Sequence, residues 1–485
     1  MTHPALREPG RRESLWLGVV LALLASAPVL AAALPVMGDY PAHLARWHVM
    51  LGRESSPFLS AYYTFEWKWT GNLGVDLLIY PLARLFGLEP AGRLIVAAIP
   101  VLTALSIVTA EWALRRRVGV GALLALAFVW SPALLLGFLN FQLSFALALF
   151  AFAGWVRLGG KTWRSAAFVP IGLIVWLCHV SGWGILGVLV FGYEWSRGKS
   201  WRAVLAPWPL LAPVLPLLFG GGTKGAFWYG PAPLVFKQAI WIKAMRDTVQ
   251  ALDVATPILA GLVFLVAAIL RKLDPRLAWA ALAFAGLSWV IPRHIVGGDY
   301  ADYRLIAVAL AVGALAIDWR APRLVLYLVP ALFLARLAVT TESWSRQSAE
   351  MERELAALAL LPPGARVASA VLVQRQGWAF NPFEHIAGYA VVRRDALTNM
   401  NFALPRVHML SLRNPPPGDF TDPSQRLLQH RGAPVDLAAF APARGMDYLW
   451  YHGVRPPDRL PAGATVLRRT DHSLLLRLAK APPPR

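Results

Sequence analysis

The chain has 485 residues, of which 57% are hydrophobic, only 15% are charged and 21 are tryptophan. Soluble domains carry about 25% charged residues, so this composition excludes an ordinary soluble protein and predicts a polytopic membrane protein. The formal net charge of +20 does not indicate nucleic-acid binding, because the arginines are spread over short loops between apolar segments, where they determine membrane topology.

The first apolar segment, residues 15–34, carries no charge. About 20 apolar residues are enough to span a bilayer core. Arg7, Arg11 and Arg12 precede the segment, which keeps its N-terminal end in the cytoplasm. Asp39 then follows on the far side of the membrane, which in a bacterium is the periplasm. We therefore predict a multi-pass protein of the bacterial cytoplasmic membrane.

A long first outer loop, residues 35–93, follows this span. Its first half is polar and aromatic, whereas its second half contains a short apolar stretch at 72–87. Nine further apolar segments come later in the chain. They lie at about 94–113, 119–137, 141–156, 166–195, 203–219, 256–270, 277–292, 304–317 and 324–340.

Topology depends on two ambiguous segments, 72–87 and 166–195. If the first crosses the membrane and the second is one helix, the arginines at 115–117 fall in the periplasm, against the positive-inside rule. If 72–87 lies along the membrane surface and 166–195 forms two short helices that turn at His179, every basic cluster faces the cytoplasm. Both arrangements give about eleven spans and an outer C-terminus, and the second is preferred.

A change in composition near Thr341 predicts a second domain. Glu350 and Glu354 suit the N-terminal end of an amphipathic helix that ends near Leu361, and short strand-like segments follow, punctuated by proline and glycine. These segments are Arg366–Val373, Tyr389–Val392, Asp447–Tyr451, Thr465–Arg468 and Ser473–Leu478. We predict a small α/β domain.

The predicted fold class is therefore an all-α polytopic membrane protein with a small C-terminal periplasmic α/β domain. Residues 1–340 form the transmembrane domain, which includes the first periplasmic loop at 35–93 and the fourth at 220–255. Residues 341–485 form the periplasmic domain.

Asp39 and His43 are the candidate catalytic residues. If the segment after the first span is helical, residues four apart are neighbours on one face. Asp39 could deprotonate an acceptor hydroxyl or amine, or ligate a divalent cation. His43 could bind the same cation or meet a phosphate. The alternative for Asp39 is structural, because it could cap the helix that Pro41 begins.

Other polar residues gather on the outer side in the preferred topology, and they are candidates for substrate binding. Arg304 could hold a lipid phosphate through two hydrogen bonds, although an Asp–Arg pair at a helix end is an equal alternative. His385 and Tyr389 in the C-terminal domain are interpreted as loop packing. The candidate substrate-binding residues are Arg304, Asp299, Asp302, His179, Asn140 and Lys224.

The layout resembles the GT-C membrane glycosyltransferases, in particular the branch that transfers aminoarabinose to lipid A or mannose to proteins. The resemblance rests on Asp39-Tyr40, Leu85-Phe86-Gly87, Arg93-Leu94 and the basic turn at Arg115–Gly119. It covers about the first 160 residues, and beyond them only the architecture is similar. It implies a polyprenyl-phosphate-linked sugar as donor, a membrane setting, and Asp39 as catalytic base or metal-associated acid.

The chain departs from the family pattern at two places. Tyr40 stands where a second acid is expected, and Gly71-Asn72-Leu73 stands where a Lys-Pro-Pro stretch is expected. These departures favour a non-catalytic glycolipid-binding member as an alternative to an enzyme. A lipid or glycan transporter or flippase is a third alternative, and it would show paired halves with broken helices. The sequence names neither the sugar nor the acceptor, nor the oligomeric state.

Overall fold

The computed structural model describes residues 7–219, 227–296, 298–374, 377–403, 407–415, 428–430 and 432–479. The chain is mostly helical and has a small sheet region. Both features agree with the predicted fold class. By its contacts the chain divides into two compact units. The first unit contains Met1–Ala31, Trp69–Leu78 and Leu94–Ser343, and the second contains Ala32–Lys68, Ile79–Arg93 and Trp344–Arg485.

Most of the described chain is helix. The α-helices are α1 (Arg11–Leu24), α2 (Ala27–Ala31), α3 (Tyr40–Gly52), α4 (Pro57–Tyr62), α5 (Gly74–Phe86), α6 (Leu88–Arg115), α7 (Val120–Ala125), α8 (Pro132–Leu135), α9 (Leu139–Arg157), α10 (Arg164–Cys178), α11 (Val180–Gly198), α12 (Trp201–Leu205), α13 (Val214–Phe219), α14 (Pro233–Ile242), α15 (Gln250–Ile269), α16 (Pro275–Val290), α17 (Ala301–Leu315), α18 (Arg323–Leu328), α19 (Ala331–Leu355) and α20 (Gly388–Arg394).

Five helical stretches in the described part of the chain are long and apolar enough to cross a membrane. These stretches are Arg11–Ala31, Leu88–Arg115, Leu139–Arg157, Gln250–Ile269 and Arg323–Leu360. Shorter apolar helices accompany them at Val120–Leu135 and Arg164–Cys178. These apolar helices support the prediction of a membrane protein. The number of eleven spans and the outer C-terminus stay predictions.

The segment at 166–195 forms two helices that meet at His179, as predicted. Helix α10 ends at Cys178 and α11 begins at Val180, and His179 between them has extended backbone angles (φ −165°, ψ 134°). Its side chain accepts a hydrogen bond from the amide of Ser181 at 3.0 Å, so the histidine caps α11. The break comes from this cap and gives two helices of 15 and 19 residues.

The stretch at 72–87 contains the separate helix α5, which has 13 residues and is therefore short for a span by the rule of about 20. Gly87 separates α5 from α6 with a φ of +81°, a conformation that costs glycine little and other residues more. The position of α5 along the membrane surface stays a prediction.

The described strands are short. They are β1 (Tyr63–Phe65), β2 (Phe227–Trp228), β3 (His294–Ile295), β4 (Arg366–Gln374), β5 (Leu397–Thr398), β6 (Leu410–Leu412), β7 (Leu428–His430), β8 (Tyr448–His452), β9 (Thr465–Arg469) and β10 (Ser473–Arg477). The main sheet lies in the second unit and has the strand order β5-β4-β8-β10-β9, with β7 also pairing with β4. Strand β4 runs parallel to β5, β7 and β8, whereas β10 is antiparallel to β8 and β9.

The second unit includes part of the first loop as well as the C-terminal segment. Strand β1 pairs with β6, and Val49, Leu59 and Tyr63 pack into the same apolar core as Leu449 and Leu476 of the sheet. The predicted boundary between residues 340 and 341 lies inside helix α19. The loop belongs with the sheet because its apolar residues are part of the same apolar core.

Two local predictions in this region are wrong. Tyr389–Val392 is not a strand but part of α20, because contacts with α3 outweigh the preference of tyrosine and valine for strands. Glu350 and Glu354 do not begin a helix but lie near the end of α19, which continues from the preceding apolar segment. A negative charge near the C-terminal end of a helix is unfavourable. The Glu354 carboxylate there accepts hydrogen bonds from Thr470 and Ser473, which offset this effect.

Candidate functional site

Asp39 stands directly before α3, where Tyr40 is the first helical residue and Pro41 occupies the first turn. Proline suits this position because the first backbone amides of a helix lack partners within the helix. Within this fully described helix, Asp39 occupies the N-cap position but its side chain makes no capping hydrogen bond. The structural alternative is therefore right about the position of Asp39 and wrong about its side chain.

The Asp39 carboxylate instead faces His385, with Oδ1 3.7 Å from Nε2. The other ring nitrogen of His385 lies 3.1 Å from the carbonyl oxygen of Met400. The His385 side chain is 6% exposed and that of Asp39 is 23% exposed. The acid is thus the more accessible member of a pair whose histidine is buried.

His43 lies one helical turn after Asp39, and its amide donates to the Asp39 carbonyl oxygen at 3.0 Å. Its ring stacks on Trp47 with centroids 5.8 Å apart and an interplanar angle of 17°. The ring also contacts Phe402 at 5.2 Å. Asp39 and His43 are neighbours, as the spacing predicts, but aromatic packing determines the orientation of the histidine ring.

Phe402 joins three histidines into one group, which we call the Phe402 cluster: His43, His385, Phe402 and His408. The ring centroids of His43, His385 and His408 lie 5.2, 5.2 and 5.6 Å from that of Phe402. Lys68 donates to the carbonyl oxygen of His408 at 2.8 Å. The cluster thus places three histidines of the second unit around one phenylalanine ring.

The electrostatic environment of the cluster is positive near His408. Burial, and to a smaller extent the charges of Arg46 and Lys68, lower the pKa of His408 from 6.5 to about 3. Arg46 lies on α3 and is only 5% exposed. His408 therefore stays neutral at physiological pH, and the positive charge near it belongs to Arg46 and Lys68.

A glycine allows α20 to approach α3 closely. A Cβ atom placed on Gly388 would lie 2.2 Å from the carbonyl oxygen of Pro41, so any larger residue would push the two helices apart. The amide of Gly388 donates to the carbonyl oxygen of His385 at 2.8 Å. This turn positions His385 beside the start of α3, although the two segments are far apart in sequence.

The first unit brings together other predicted site residues. Arg304 lies 3.1 Å from Nε2 of His179 and donates to the carbonyl oxygen of Asp299 at 3.1 Å. Its guanidinium carbon lies 4.1 Å above the ring of Phe138. The Asp299 side chain pairs with Arg293 through two hydrogen bonds of 3.0 and 2.7 Å. Arg304 and His179 are thus neighbours, and Asp299 has an ion-pair partner of its own.

Asp302 and Asn140 are engaged inside the protein. Asp302 is fully buried and pairs with Lys237 at 2.5 Å. Asn140 accepts from the amide of Val75 at 2.6 Å and donates to the carbonyl oxygen of Asn72 at 3.0 Å, which fixes the start of α5 against α9. Their roles in substrate binding stay predictions. Lys224 lies outside the described residues.

The sequence did not indicate the partner of Asp39. The sequence pattern predicts loop packing for His385 and gives no role to Phe402, His408 or Arg46. The available signal was the presence of histidines and asparagines in the C-terminal segment, yet no spacing connects them to residue 39. In the parts of the chain that the structure describes, no group of three or more His, Cys, Asp and Glu side chains could hold a metal ion. The cation at Asp39 and His43 stays a prediction.

Comparison of the chain with protein families, with characterised proteins and with solved structures finds no match. The arrangement around Asp39 therefore has to be interpreted from its own geometry. A partly exposed carboxylate beside a buried histidine is an arrangement suited to general base chemistry, because the acid is accessible and its orientation is fixed.

Proposed function

We propose that this chain is a membrane glycosyltransferase of the bacterial cytoplasmic membrane. It moves a sugar from a polyprenyl-phosphate donor to a cell-envelope acceptor on the periplasmic face, and Asp39 is the general base. The observation that carries the proposal is the position of the Asp39 carboxylate, which makes no capping hydrogen bond and faces His385.

The proposed step is a single displacement at the anomeric carbon. Asp39 takes the proton from an acceptor hydroxyl or amine, and the freed electron pair forms the new bond to the sugar. The bond between the anomeric carbon and the phosphate oxygen breaks at the same time. Polyprenyl phosphate leaves and keeps the electron pair of this broken bond. The proton remains on the Asp39 carboxyl group until it passes to solvent.

Three features support this proposal. The chain contains helices suited to a membrane, where a polyprenyl donor resides. Asp39 follows the first of these spans in sequence, and its carboxylate is 23% exposed. The order of Asp39, Gly87 and Arg93 resembles the GT-C pattern.

The test compares the wild-type chain with Asp39→Asn in a transfer assay that uses labelled sugar on polyprenyl phosphate. An amide cannot take a proton, so transfer should fall by about 100- to 10,000-fold, the usual contribution of a general base. Folding should be retained because the carboxylate does not cap α3. Wild-type transfer by a well-folded Asp39→Asn protein would exclude this mechanism.

Asp395→Asn is the matched control. Asp395 belongs to the same unit and is comparably exposed, at 31%, and it contacts His48 and Ser56 at 2.7 Å each. The asparagine keeps an acceptor oxygen for Ser56, so this variant should retain transfer. Loss of transfer in both variants, with equal loss of thermal stability, would indicate a folding effect rather than a lost base.

Two further variants separate the roles of the predicted site residues. His43→Ala should reduce transfer less than Asp39→Asn, because the His43 ring packs against Trp47 and Phe402. Arg304→Ala should raise the donor concentration needed for half-maximal transfer without a comparable fall in maximal rate, as expected for a phosphate-binding residue. An unchanged donor requirement would remove Arg304 from the proposal.

A further inference from the structure

Three helices of the first unit bring one end each to the same place. Helix α9 ends at Arg157, α10 begins at Arg164, and α11 ends at Gly198. The Glu194 carboxylate near the end of α11 accepts hydrogen bonds from Trp155 of α9 at 2.8 Å and from Arg164 of α10 at 3.0 Å. The end of α9, the start of α10 and the end of α11 therefore lie side by side.

Positive charge dominates this part of the chain. Residues 139–205, all of which the structure describes, contain six Lys and Arg side chains and one acid, Glu194. Arg164 is the partner of that acid. The other five basic side chains are exposed, and we call them the Arg197 patch: Arg157, Lys161, Arg197, Lys199 and Arg202.

The turn between α9 and α10 leaves open space beside these cations. A Cβ atom placed on Gly160 would meet no atom beyond its chain neighbours within 4 Å. One placed on Gly159 would lie 3.7 Å from Nη1 of Arg164 and 3.9 Å from Nη1 of Arg197. An anion that approaches this turn therefore meets positive charge from two helices.

An exposed apolar stripe follows the patch in sequence. The carbonyl oxygen of Leu210 accepts a hydrogen bond from Trp183 of α11 at 2.6 Å, and Ala203 and Leu210 are buried. These contacts hold one side of the segment against the helices. The opposite side carries exposed apolar side chains at the spacing of one helical face, namely Trp201, Val204, Leu205, Trp208 and Leu211.

Helix α9 relates this arrangement to the membrane. Leu139–Arg157 is one of the stretches long and apolar enough to cross a bilayer, and a crossing helix ends near the lipid headgroups. Lysine and arginine at such ends attract anionic headgroups, and tryptophan is enriched at the same level. Positive charge beside an apolar stripe fits a negatively charged lipid better than a soluble anion, which has no acyl chain to place on the stripe.

We propose that the Arg197 patch is a binding site for an anionic phospholipid of the surrounding membrane. The phosphate of the headgroup contacts the patch, and the acyl chains lie along the stripe from Trp201 to Leu211. The site belongs to the first unit, whereas Asp39 belongs to the second, and the inference does not depend on the proposed transfer reaction.

Three variants of the full chain test the role of charge. The first removes three cations of the patch together, by Arg197→Gln, Lys199→Gln and Arg202→Gln. The second keeps the charge, by Arg197→Lys and Arg202→Lys. The matched control removes three exposed arginines of the second unit, by Arg444→Gln, Arg469→Gln and Arg477→Gln.

The first measurement is native mass spectrometry of the detergent-solubilised full chain, titrated with phosphatidylglycerol or with phosphatidylcholine of the same acyl chains. Each basic residue near an anionic lipid strengthens binding by about fivefold. The triple glutamine variant should therefore raise the Kd for phosphatidylglycerol on the order of 100-fold and leave that for phosphatidylcholine nearly unchanged. The lysine variant and the second-unit control should bind phosphatidylglycerol like the wild type.

The second measurement uses the wild-type chain alone, so it does not depend on the folding of any variant. Phosphatidylglycerol with a photoactivatable group in its acyl chain is cross-linked in nanodiscs, and the labelled peptides are identified. Label should concentrate on peptides that cover residues 199–211, and unlabelled phosphatidylglycerol should reduce it more than unlabelled phosphatidylcholine does.

Four results would overturn the inference. They are equal affinity of the wild type for the two lipids, an equal loss of binding in the second-unit control, cross-links concentrated elsewhere in the chain, and release of phosphatidylglycerol by inorganic phosphate at about the same concentration as by the lipid itself. The last result would assign the patch to a soluble anion.

Discussion

Replacing His452 by phenylalanine should make the sheet of the second unit less sensitive to acid. His452 lies on β8 and is 1% exposed, and its ring stacks on Phe383 with centroids 5.3 Å apart and an angle of 11°. Burial lowers the pKa of His452 from 6.5 to about 3. The folded protein therefore keeps this histidine neutral over a pH range in which the unfolded chain protonates it.

The direction of the effect follows from this difference in proton binding. Between about pH 6.5 and pH 3 the unfolded state binds the proton and the folded state does not, so stability falls as pH falls. The full shift corresponds to about 5 kcal/mol, because each pKa unit is worth about 1.4 kcal/mol. At about pH 5 the loss from His452 is about 2 kcal/mol relative to pH 7.5, or about thirtyfold in an opening equilibrium.

The measurement is hydrogen exchange of peptides from β8 and β10, followed by mass spectrometry of the full chain in nanodiscs. Protection, corrected for intrinsic exchange rates, should fall by about thirtyfold more in the wild type than in His452→Phe between pH 7.5 and pH 5. His472→Phe is the control, since His472 is exposed beside β10 and should leave the acid sensitivity unchanged. Equal acid sensitivity in wild type and His452→Phe would refute this reasoning.

Three other perturbations have definite expected outcomes. Asn140→Ala should destabilise the chain by about 1–3 kcal/mol in thermal unfolding, because the amide of Val75 loses its acceptor. Lys237→Met should cost about 3–5 kcal/mol in the same assay, since it leaves the buried carboxylate of Asp302 uncompensated, and adding Asp302→Leu should recover a large part of that loss. A reporter that works only after export, fused after Leu478, should be active if the C-terminal domain is periplasmic, and activity of a cytoplasmic reporter at that point would contradict the proposed topology.

Local patterns in the sequence predicted the elements that depend on neighbouring residues. The break at His179 was predicted because two short helices over 166–195 put every basic cluster on the cytoplasmic side, and the structure has a break there. Strands β4 and β10 were predictable from their apolar residues. Tyr389–Val392 was misassigned because its residues favour strands in isolation, whereas contacts with α3 hold them in a helix.

Of the two residues that face each other at the candidate site, the sequence predicted only Asp39. Asp39 is recognisable in the sequence as an isolated acid directly after an apolar segment, and Pro41 correctly predicts the start of α3. His385 becomes its partner because Gly388 permits close approach to Pro41 and the Met400 carbonyl orients the ring. Neither the close approach at Gly388 nor the contact with Met400 produces a periodic pattern in the sequence. The first depends on the absence of a side chain, and the second depends on a backbone oxygen. A single sequence therefore indicates the acid, and only the fold shows that His385 lies beside it.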